Sequence, residues 1–295
     1  MNAIEFLLAG TLAASLPLLL AALGEMVVEK TGLVNLGLEG MMAIGAAIAF
    51  ITVYHSGAHS LGFVAAAVSA TMLSMIFAFL VVVVRANEVA TGLAVGVLGL
   101  GLSALFGKSY ESLTVTGLPE LGLPGLSNLP VVGHTLFTQD IVVWLAIVGT
   151  TALWYVLNRT KLGLIITAVG ENPTAATAIG YPVTEIRCAA VAFGGAMCGL
   201  AGAYASTVYT PLWADGMIAG RGWIALALVV FGTWHTGRVA FGALLFGVVS
   251  LGELTAQAIG VAIPSQALSS LPYIMTIVIL VVISGRRRGS PLRYP

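Results

Sequence analysis

Charged and amide side chains occur near the N-terminus inside a segment that is otherwise apolar enough to enter a membrane. They lie within residues 24–50 and are Glu25, Glu29, Lys30, Asn35 and Glu39. An ionised side chain at the centre of a bilayer costs about 2.5–3.5 kcal/mol on insertion scales. A segment that keeps such groups beside several glycines is predicted to form a broken helix that faces protein or water, as a pathway for a polar solute requires.

Polar residues at four-residue spacing supply further candidates for such a pathway, because residues i and i+4 lie on one face of a helix. This spacing joins Asn35 to Glu39 and Asn87 to Thr91, and it recurs from Glu253 to the glutamine at 257. The candidate pathway residues are Asn35, Glu39, Asn87, Glu88, Thr91 and Glu253. Their polar groups would replace water around the hydroxyl groups or base edges of a solute.

A structural role explains the same residues. They could satisfy backbone groups that glycine breaks set free, or they could close an interface between subunits. For Asn35, Glu39 and Glu253 both interpretations stay open. Asn87 and Glu88 lie at the predicted cytoplasmic rim, where a helix N-cap is expected, and this position favours the structural role for them.

A short helix with its own start and stop signals is predicted in the loop after the fifth apolar run. Asn172 suits an N-cap, and Pro173 suits the first helical position. Residues 174–179 are rich in alanine, and Gly180 suits the position that follows a helix. Two turns are too short to be stable alone in water, so this helix either packs on its own bundle or docks on a partner.

The composition places the whole chain in a membrane. Of its 295 residues 59% are hydrophobic and 8% are charged, with a mean hydropathy of +1.03. Soluble domains carry about 25% charged residues. We therefore predict an all-α protein, a single polytopic helical bundle over residues 1–295. The formal net charge of zero gives no electrostatic case for binding nucleic acid.

Apolar runs of about 17–25 residues predict about nine membrane spans, within a range of about eight to ten. The second span is expected to be discontinuous, because it contains the polar insert. The predicted spans are 4–23, 32–53, 61–84, 88–107, 140–157, 187–208, 221–234, 239–256 and 271–284, of which 221–234 is short and could be re-entrant. Glycines four residues apart, Gly92 with Gly96 and Gly195 with Gly199, predict close packing of these helices. Basic residues favour the cytoplasmic side, which places the loop 158–186 inside and both the loop 108–139 and the N-terminus outside.

The sequence predicts neither catalysis nor a cofactor or metal in this chain. Cys188 and Cys198 lie in an apolar segment and suit packing. His55 and His59 are four residues apart, but no third ligand is near them in the sequence. Three aromatic residues around the sixth-to-seventh connection are expected at the membrane interface, and they are Trp213, Trp223 and Trp234.

Three sequence blocks resemble the permease subunits of bacterial ABC importers in the branched-chain amino acid and simple-sugar (ribose-type) superfamily. The blocks are GEMVVEKTGLVNLGLEGMM at 24–42, RANEVATGLAVG at 85–96 and AVGENPTAATAIGYPV at 168–183. They occur in the expected order, and with the spacing of the spans they cover nearly the whole chain. The chain looks most similar to the nucleoside or simple-sugar branch. The resemblance implies a transport subunit and not an enzyme.

The resemblance also implies partners. Two ATPase subunits would bind ATP and Mg on the cytoplasmic face, a second permease would complete the pore, and a solute-binding protein or lipoprotein would deliver the solute. The chain has no GxxxxGK[ST] phosphate loop of its own, so ATP hydrolysis requires another subunit. The short helix is implied to couple to the ATPase through Gly170, Glu171, Asn172, Pro173, Ala175, Ala176, Ala178 and Gly180.

The expected solute is a nucleoside, with a simple sugar as the alternative. Asp215 and Arg221 lie on the predicted outer side and are candidates for contact with the binding protein. A rival function of another class is an ion-coupled secondary transporter. Such a transporter needs a membrane-embedded carboxylate or histidine for its relay, and Glu39 and Glu253 are the candidates for that role.

Overall fold

The chain folds into a helical bundle, as the sequence predicts. A computed structural model describes residues 3–119 and 139–258, with four single positions between 274 and 281. Within these residues the regular structure is helical, and it contains no strand apart from one isolated β-bridge between Thr114 and Leu212. The loop predicted at 108–139 is therefore described only in part.

Ten α-helices are present in the described residues. In chain order they are α1 (Ala3–Lys30), α2 (Leu38–Ser56), α3 (His59–Ala78), α4 (Glu88–Gly107), α5 (Ile141–Arg159), α6 (Lys161–Glu171), α7 (Pro173–Ala178), α8 (Val183–Tyr204), α9 (Arg221–Phe231) and α10 (Thr236–Ala258). Both α3 and α8 continue into a π-helical turn, at Phe79–Val83 and Ala205–Tyr209 respectively.

Six of the described helical segments are long and apolar enough to cross a membrane. They are Ala9–Lys30, Leu38–Ser56, His59–Val83, Glu88–Tyr110, Ile141–Arg159 and Val183–Tyr209. Two shorter apolar segments follow, at Arg221–Phe231 and Thr236–Gly252. The predicted count of about nine is therefore not confirmed. The last predicted span, 271–284, lies outside the described residues except for four positions.

Helix α2 lies at the centre of the bundle, where α3, α4 and α8 pack around it. Glycines allow these backbones to approach closely, as their spacing in the sequence predicts. Where α4 meets the two residues that lead into α2, a methyl group added at Gly92 would lie 2.7 Å from the backbone nitrogen of Leu36, and one at Gly96 would lie 3.4 Å from the Cα of Gly37. Glycines of α8 make the same kind of approach to α2 and α3, at Gly195, Gly199 and Gly202.

Replacing Gly99 and Gly101 of α4 by alanine is expected to change stability in opposite directions. A methyl group at Gly99 would lie 2.5 Å from the carbonyl oxygen of Gly40, whereas one at Gly101 meets no described atom within 4 Å. Gly99→Ala should therefore destabilise the protein by about 1–3 kcal/mol through overpacking. Gly101→Ala should stabilise it by up to about 1 kcal/mol, because alanine favours helices. Thermal unfolding in detergent would measure both, and equal changes would contradict this packing.

The polar insert predicted in the second span lies between two helices. Helix α1 continues to Lys30, residues 31–37 are non-helical, and α2 then runs without a break from Leu38 to Ser56. The broken helix predicted for 24–50 is thus confirmed, but the discontinuity comes before the second span instead of inside it. The reason is that α1 is longer than expected, since Glu25 accepts a hydrogen bond in the protein interior and Glu29 accepts one from the Trp234 indole.

Two further features differ from the sequence prediction. The loop 158–186 contains a second helix, α6, before the short helix α7. Trp213 is only 2% exposed, so its ring is covered by protein and does not face lipid or water as the interfacial prediction expects. Its ring covers Gly107, where any side chain would overlap it. A glycine at this position leaves the space that the indole ring fills. Trp223 and Trp234 are exposed, as expected of interfacial residues.

Candidate functional site: a polar break and a short cytoplasmic helix

The non-helical segment 31–37 is held in place by carboxylate groups from two other parts of the chain. The backbone N–H of Asn35 donates to Oε1 of Glu25 at 2.8 Å, and the N–H of Val34 donates to Oε2 of Glu88 at 3.3 Å. The N–H of Gly37 donates to the side-chain oxygen of Asn35 at 2.9 Å. These bonds satisfy backbone donors that the break leaves without helical partners.

Glu25 and Asn35 are therefore structural in the described state. Both side chains are about 1% exposed, so neither meets water or a solute. Asn35 lies in the break, so it does not share a helical face with Glu39 as the four-residue spacing predicts. The spacing rule fails here because it applies only where the intervening residues are helical. The sequence places Glu25 in an apolar segment but does not identify its partner.

Glu39 connects the start of α2 to the start of α9. Its Oε1 accepts a hydrogen bond from the backbone N–H of Gly220 at 3.0 Å. Gly222 packs directly on the Glu39 backbone, where an added methyl group would lie 2.5 Å from the nitrogen. The other oxygen, Oε2, is buried and has no hydrogen-bond partner among the described residues. Glu39 is thus the pathway candidate with an unsatisfied acceptor, which is buried in the described state.

The candidates at the start of α4 divide into different roles. Asn87 is an N-cap, since its side-chain oxygen accepts from the N–H of Ala90 at 3.0 Å. Glu88 contacts the break at Val34, and Thr91 is buried in the first turn. The structural interpretation of Asn87 and Glu88 is supported. The side chain of Glu253 lies outside the described residues.

The segment before α9 brings Arg221 near the same region. The Arg221 guanidinium carbon lies 5.8 Å from the centre of the Tyr209 ring, a distance at which cation–π attraction acts. Asp215 is exposed in the preceding turn. Arg221 directly follows Gly220, the residue that contacts Glu39. Gly220 and Gly222 are not among the residues predicted for the site, although the run Gly-Arg-Gly at 220–222 is a signal of close backbone approach.

A large cavity elsewhere in the bundle does not suit a polar solute. Its volume is about 950 Å³, and it lies between α5 and the helices α1, α3 and α8. Its walls are almost entirely apolar, with side chains such as Leu23, Phe63, Leu145 and Phe193. A sugar or nucleoside would lose hydrogen bonds to water there without replacement. The polar groups around Glu39 and Arg221 are the better candidates for a route.

The short helix α7 has the capping geometry that its sequence predicts. Asn172 is the N-cap, and its side-chain oxygen accepts from the N–H of Ala175 at 3.0 Å. Pro173 is the first helical residue. Gly180 follows the helix with φ of +93°, a backbone conformation in which glycine is strongly favoured. The cap, the start and the stop of α7 are confirmed.

The side chains of α7 divide between its own chain and the surface. Ala176 is 2% exposed and packs against this chain, so its methyl group is not available to a partner. Ala175 and Ala178 are exposed, and Ile179, directly after the helix, is 72% exposed. The interface stays a prediction; its burial makes Ala176 a poorer candidate for a contact than Ala175 and Ala178, and Ile179 is an additional candidate. Its signal is a large apolar residue on a short helix outside the spans.

Among the candidate coupling residues on either side of α7, some contact their own chain and others are exposed. Gly170, at the end of α6, packs on the backbone of Lys30 and Gly32 and so faces its own chain. Glu171 and Asn172 are exposed, Pro173 is partly buried and Gly180 is exposed. Gly170 is therefore better assigned to contacts within the permease than to contact with a partner.

Because the family resemblance implies that α7 couples to an ATPase, Asn172→Ala is expected to weaken that coupling without preventing membrane insertion. Loss of an N-cap side chain costs about 1 kcal/mol of helix stability, which is large for a helix of six residues. ATP-driven uptake should fall by about fivefold at equal protein level. Asn172→Asp keeps an N-cap acceptor and serves as the matched control. Equal uptake by the alanine and aspartate variants would show that the cap is unimportant.

The chain belongs to the family of permease components of branched-chain amino acid transport systems. The family model with that description matches residues 7–286. The match covers the break, the start of α4 and the α6–α7 segment together. This protein is accordingly an ABC-transporter permease, a multi-pass protein of the cell membrane that acts as a transport component and not as an enzyme.

Curated relatives agree over almost the full length. A putative glucose ABC transporter permease of Haloferax volcanii is 37% identical, with 93% of this chain and 90% of the relative aligned. A nucleoside ABC transporter permease of Lactococcus lactis is 33% identical over 97% of this chain and 94% of the relative. A guanosine ABC transporter permease of Bacillus subtilis is 32% identical over 96% and 93%. No solved structure matches the chain significantly.

Proposed function

We propose that this permease forms the pathway through which an ABC importer carries nucleosides into the cell. The observation that carries the proposal is α7, a capped helix outside the spans that leaves Ala175, Ala178 and Ile179 exposed. An apolar surface of this kind on a helix too short to be stable alone suits a groove on another subunit. The partner is an ATPase subunit that binds ATP and Mg.

The remaining partners follow from the same proposal. A second permease, identical or related, completes the pathway, and a solute-binding protein or lipoprotein delivers the solute from outside. Asp215 and Arg221 are candidates for contact with that protein. The full bundle would have about nine spans, if the shorter apolar segments Arg221–Phe231 and Thr236–Gly252 and the span predicted from the sequence at 271–284 are added to the six long ones. The N-terminus lies outside, and the α6–α7 segment lies in the cytoplasm.

Nucleosides are preferred because two relatives of nearly full length are named for nucleoside or guanosine transport. Simple sugars are the second candidate, because the glucose permease relative has the higher identity of 37%. The carboxylate of Glu39 has one buried oxygen that is unpaired among the described residues, and this oxygen can accept a hydrogen bond from a hydroxyl group once α2 and α9 move apart to expose it. Both classes of solute carry such hydroxyl groups, so Glu39 does not distinguish them.

Competition for uptake distinguishes the two substrate classes. Cells that express the permease with its neighbouring transport genes would be given labelled guanosine, adenosine, uridine, glucose and ribose, each with a hundredfold excess of the others. Saturable uptake of at least one nucleoside, unaffected by glucose or ribose, is the expected result. Saturable uptake of a sugar that nucleosides do not inhibit would assign the permease to the sugar branch.

A further inference from the structure

The turn at the end of α1 receives contacts from both sides of α7. Before α7, the backbone of Gly170 packs on this turn so closely that a methyl group at Gly32 would lie 3.2 Å from the Gly170 carbonyl oxygen. A methyl group at Gly170 would overlap the carbonyl oxygen of Lys30. After α7, the Arg187 side chain donates from Nε to the carbonyl oxygen of Thr31 at 3.1 Å. Two contacts that are separate in sequence thus reach the same turn.

These two contacts are firmly connected to α7. Only Asn172 separates α6 from α7, and its backbone N–H donates to the carbonyl oxygen of Ala168 at 3.0 Å. On the other side, the N–H of Tyr181 donates to the carbonyl oxygen of Ala176 at 3.0 Å. Because these connections are short and hydrogen-bonded, α7 cannot move far relative to the end of α6 or the start of α8. A displacement of α7 therefore displaces Gly170 and the start of α8, from which Arg187 extends.

The same turn begins the segment that leads to the pathway candidates. Residues 31–37 follow α1, are held by Glu25 and Glu88, and end at Gly37, which packs on Gly92 of α4. Two residues further, Glu39 contacts the start of α9. A non-helical segment with glycine at 32 and 37 is the part of this path that can change its backbone angles most easily.

We propose that Gly170 and Arg187 are positioning residues that transmit displacement of α7 to the segment 31–37, and that this segment is the hinge between the ATPase and the pathway. The proposal rests on the proposed role of α7 as the coupling helix. It explains why Gly170 packs on its own chain, and it assigns a function to the hydrogen bond between Arg187 and Thr31. Movement of the hinge changes how α2 lies against α4 and α9.

Uptake per ATP hydrolysed tests this proposal directly. The complete transporter, with its ATPase, second permease and binding protein, would be reconstituted with Arg187→Met. The ATPase should still copurify and hydrolyse ATP, while the number of solute molecules carried per ATP falls by about five- to tenfold. Arg159→Met is the matched control, because Arg159 is exposed in the same cytoplasmic segment and makes no described contact with 31–37. It should keep the wild-type ratio.

A labelling measurement keeps the proposal testable if Arg187→Met assembles poorly. In a background of Cys188→Ala and Cys198→Ala, a cysteine introduced by Val34→Cys would be labelled with a maleimide, with and without a nonhydrolysable ATP analogue. Its labelling rate should change at least threefold on nucleotide binding, and Gly170→Ala should abolish that change.

The outcomes separate this proposal from the proposed function. A wild-type transporter whose uptake depends on ATP, together with an unchanged ratio in Arg187→Met, would overturn the hinge proposal alone. A labelling rate at Val34→Cys that does not change with nucleotide, in a labelled transporter that still carries solute, would also overturn the hinge proposal alone. A wild-type permease that neither binds an ATPase nor needs ATP would instead overturn the role of α7, on which the hinge proposal depends.

Discussion

Ile179→Asp is expected to reduce ATP-driven uptake by about 30-fold while the permease stays in the membrane. Ile179 is 72% exposed at the end of α7, so the substitution disturbs little inside the chain itself. In a groove of the ATPase, the new carboxylate would lose its hydration without a partner. A central apolar contact of an interface is worth about 2 kcal/mol or more, which corresponds to this factor. Copurification of the ATPase with the tagged permease should fall with uptake.

The matched control is Asn158→Asp, which adds the same charge to an exposed position at the end of α5. It should keep both uptake and copurification. If Ile179→Asp retained normal binding of the ATPase, α7 would not be the docking element. If both variants lost uptake equally, the cause would be a general effect of added negative charge on this side of the protein, and not the loss of a specific contact at Ile179.

Glu39→Ala is expected to lower uptake by about tenfold, whereas Glu39→Gln should remain within about twofold of the wild type. The carboxylate accepts the N–H of Gly220 and so fixes the start of α9. A hydrogen bond to a charged group contributes about 1.5–3 kcal/mol, and alanine removes the acceptor altogether. Glutamine keeps an oxygen acceptor of nearly the same shape. Both variants should assemble with the ATPase, which copurification would show.

The glutamine variant also separates the proposed importer from the ion-coupled rival. A glutamine side chain accepts a hydrogen bond but does not carry a proton through a relay. Abolished transport by Glu39→Gln, with the complex intact, would therefore favour an ion-coupled mechanism. Normal uptake by Glu39→Ala would instead show that the bond to Gly220 is unnecessary for transport.

Features that depend on neighbouring residues could be predicted from the sequence. The cap at Asn172, the first position at Pro173 and the positive φ at Gly180 are local properties of the chain, and all three are confirmed. The N-cap at Asn87 was predictable for the same reason. Glycine spacing on α4 and α8 also indicated close helix packing, because small residues four positions apart let helix backbones approach closely in lipid.

Features that depend on distant residues could not be predicted. The Glu39–Gly220 bond joins residues 181 positions apart, and Arg187 reaches Thr31 across 156 positions. The burial of Ala176 depends on how α7 lies against α6 and α8, which an alanine-rich helix does not reveal. The predicted position of the break was also wrong, because no local pattern identifies a partner for Glu25, and without a partner there was no reason to extend α1.

Transport by purified proteoliposomes with the energy source varied tests the central claim most directly. The permease and its partners would be reconstituted with ATP and Mg on the ATPase side and no ion gradient, and separately without ATP but with proton and sodium gradients. We predict solute uptake only in the first condition, and its loss when the ATPase subunit is omitted. Uptake driven by an ion gradient, with this permease present and no ATPase, would contradict the account.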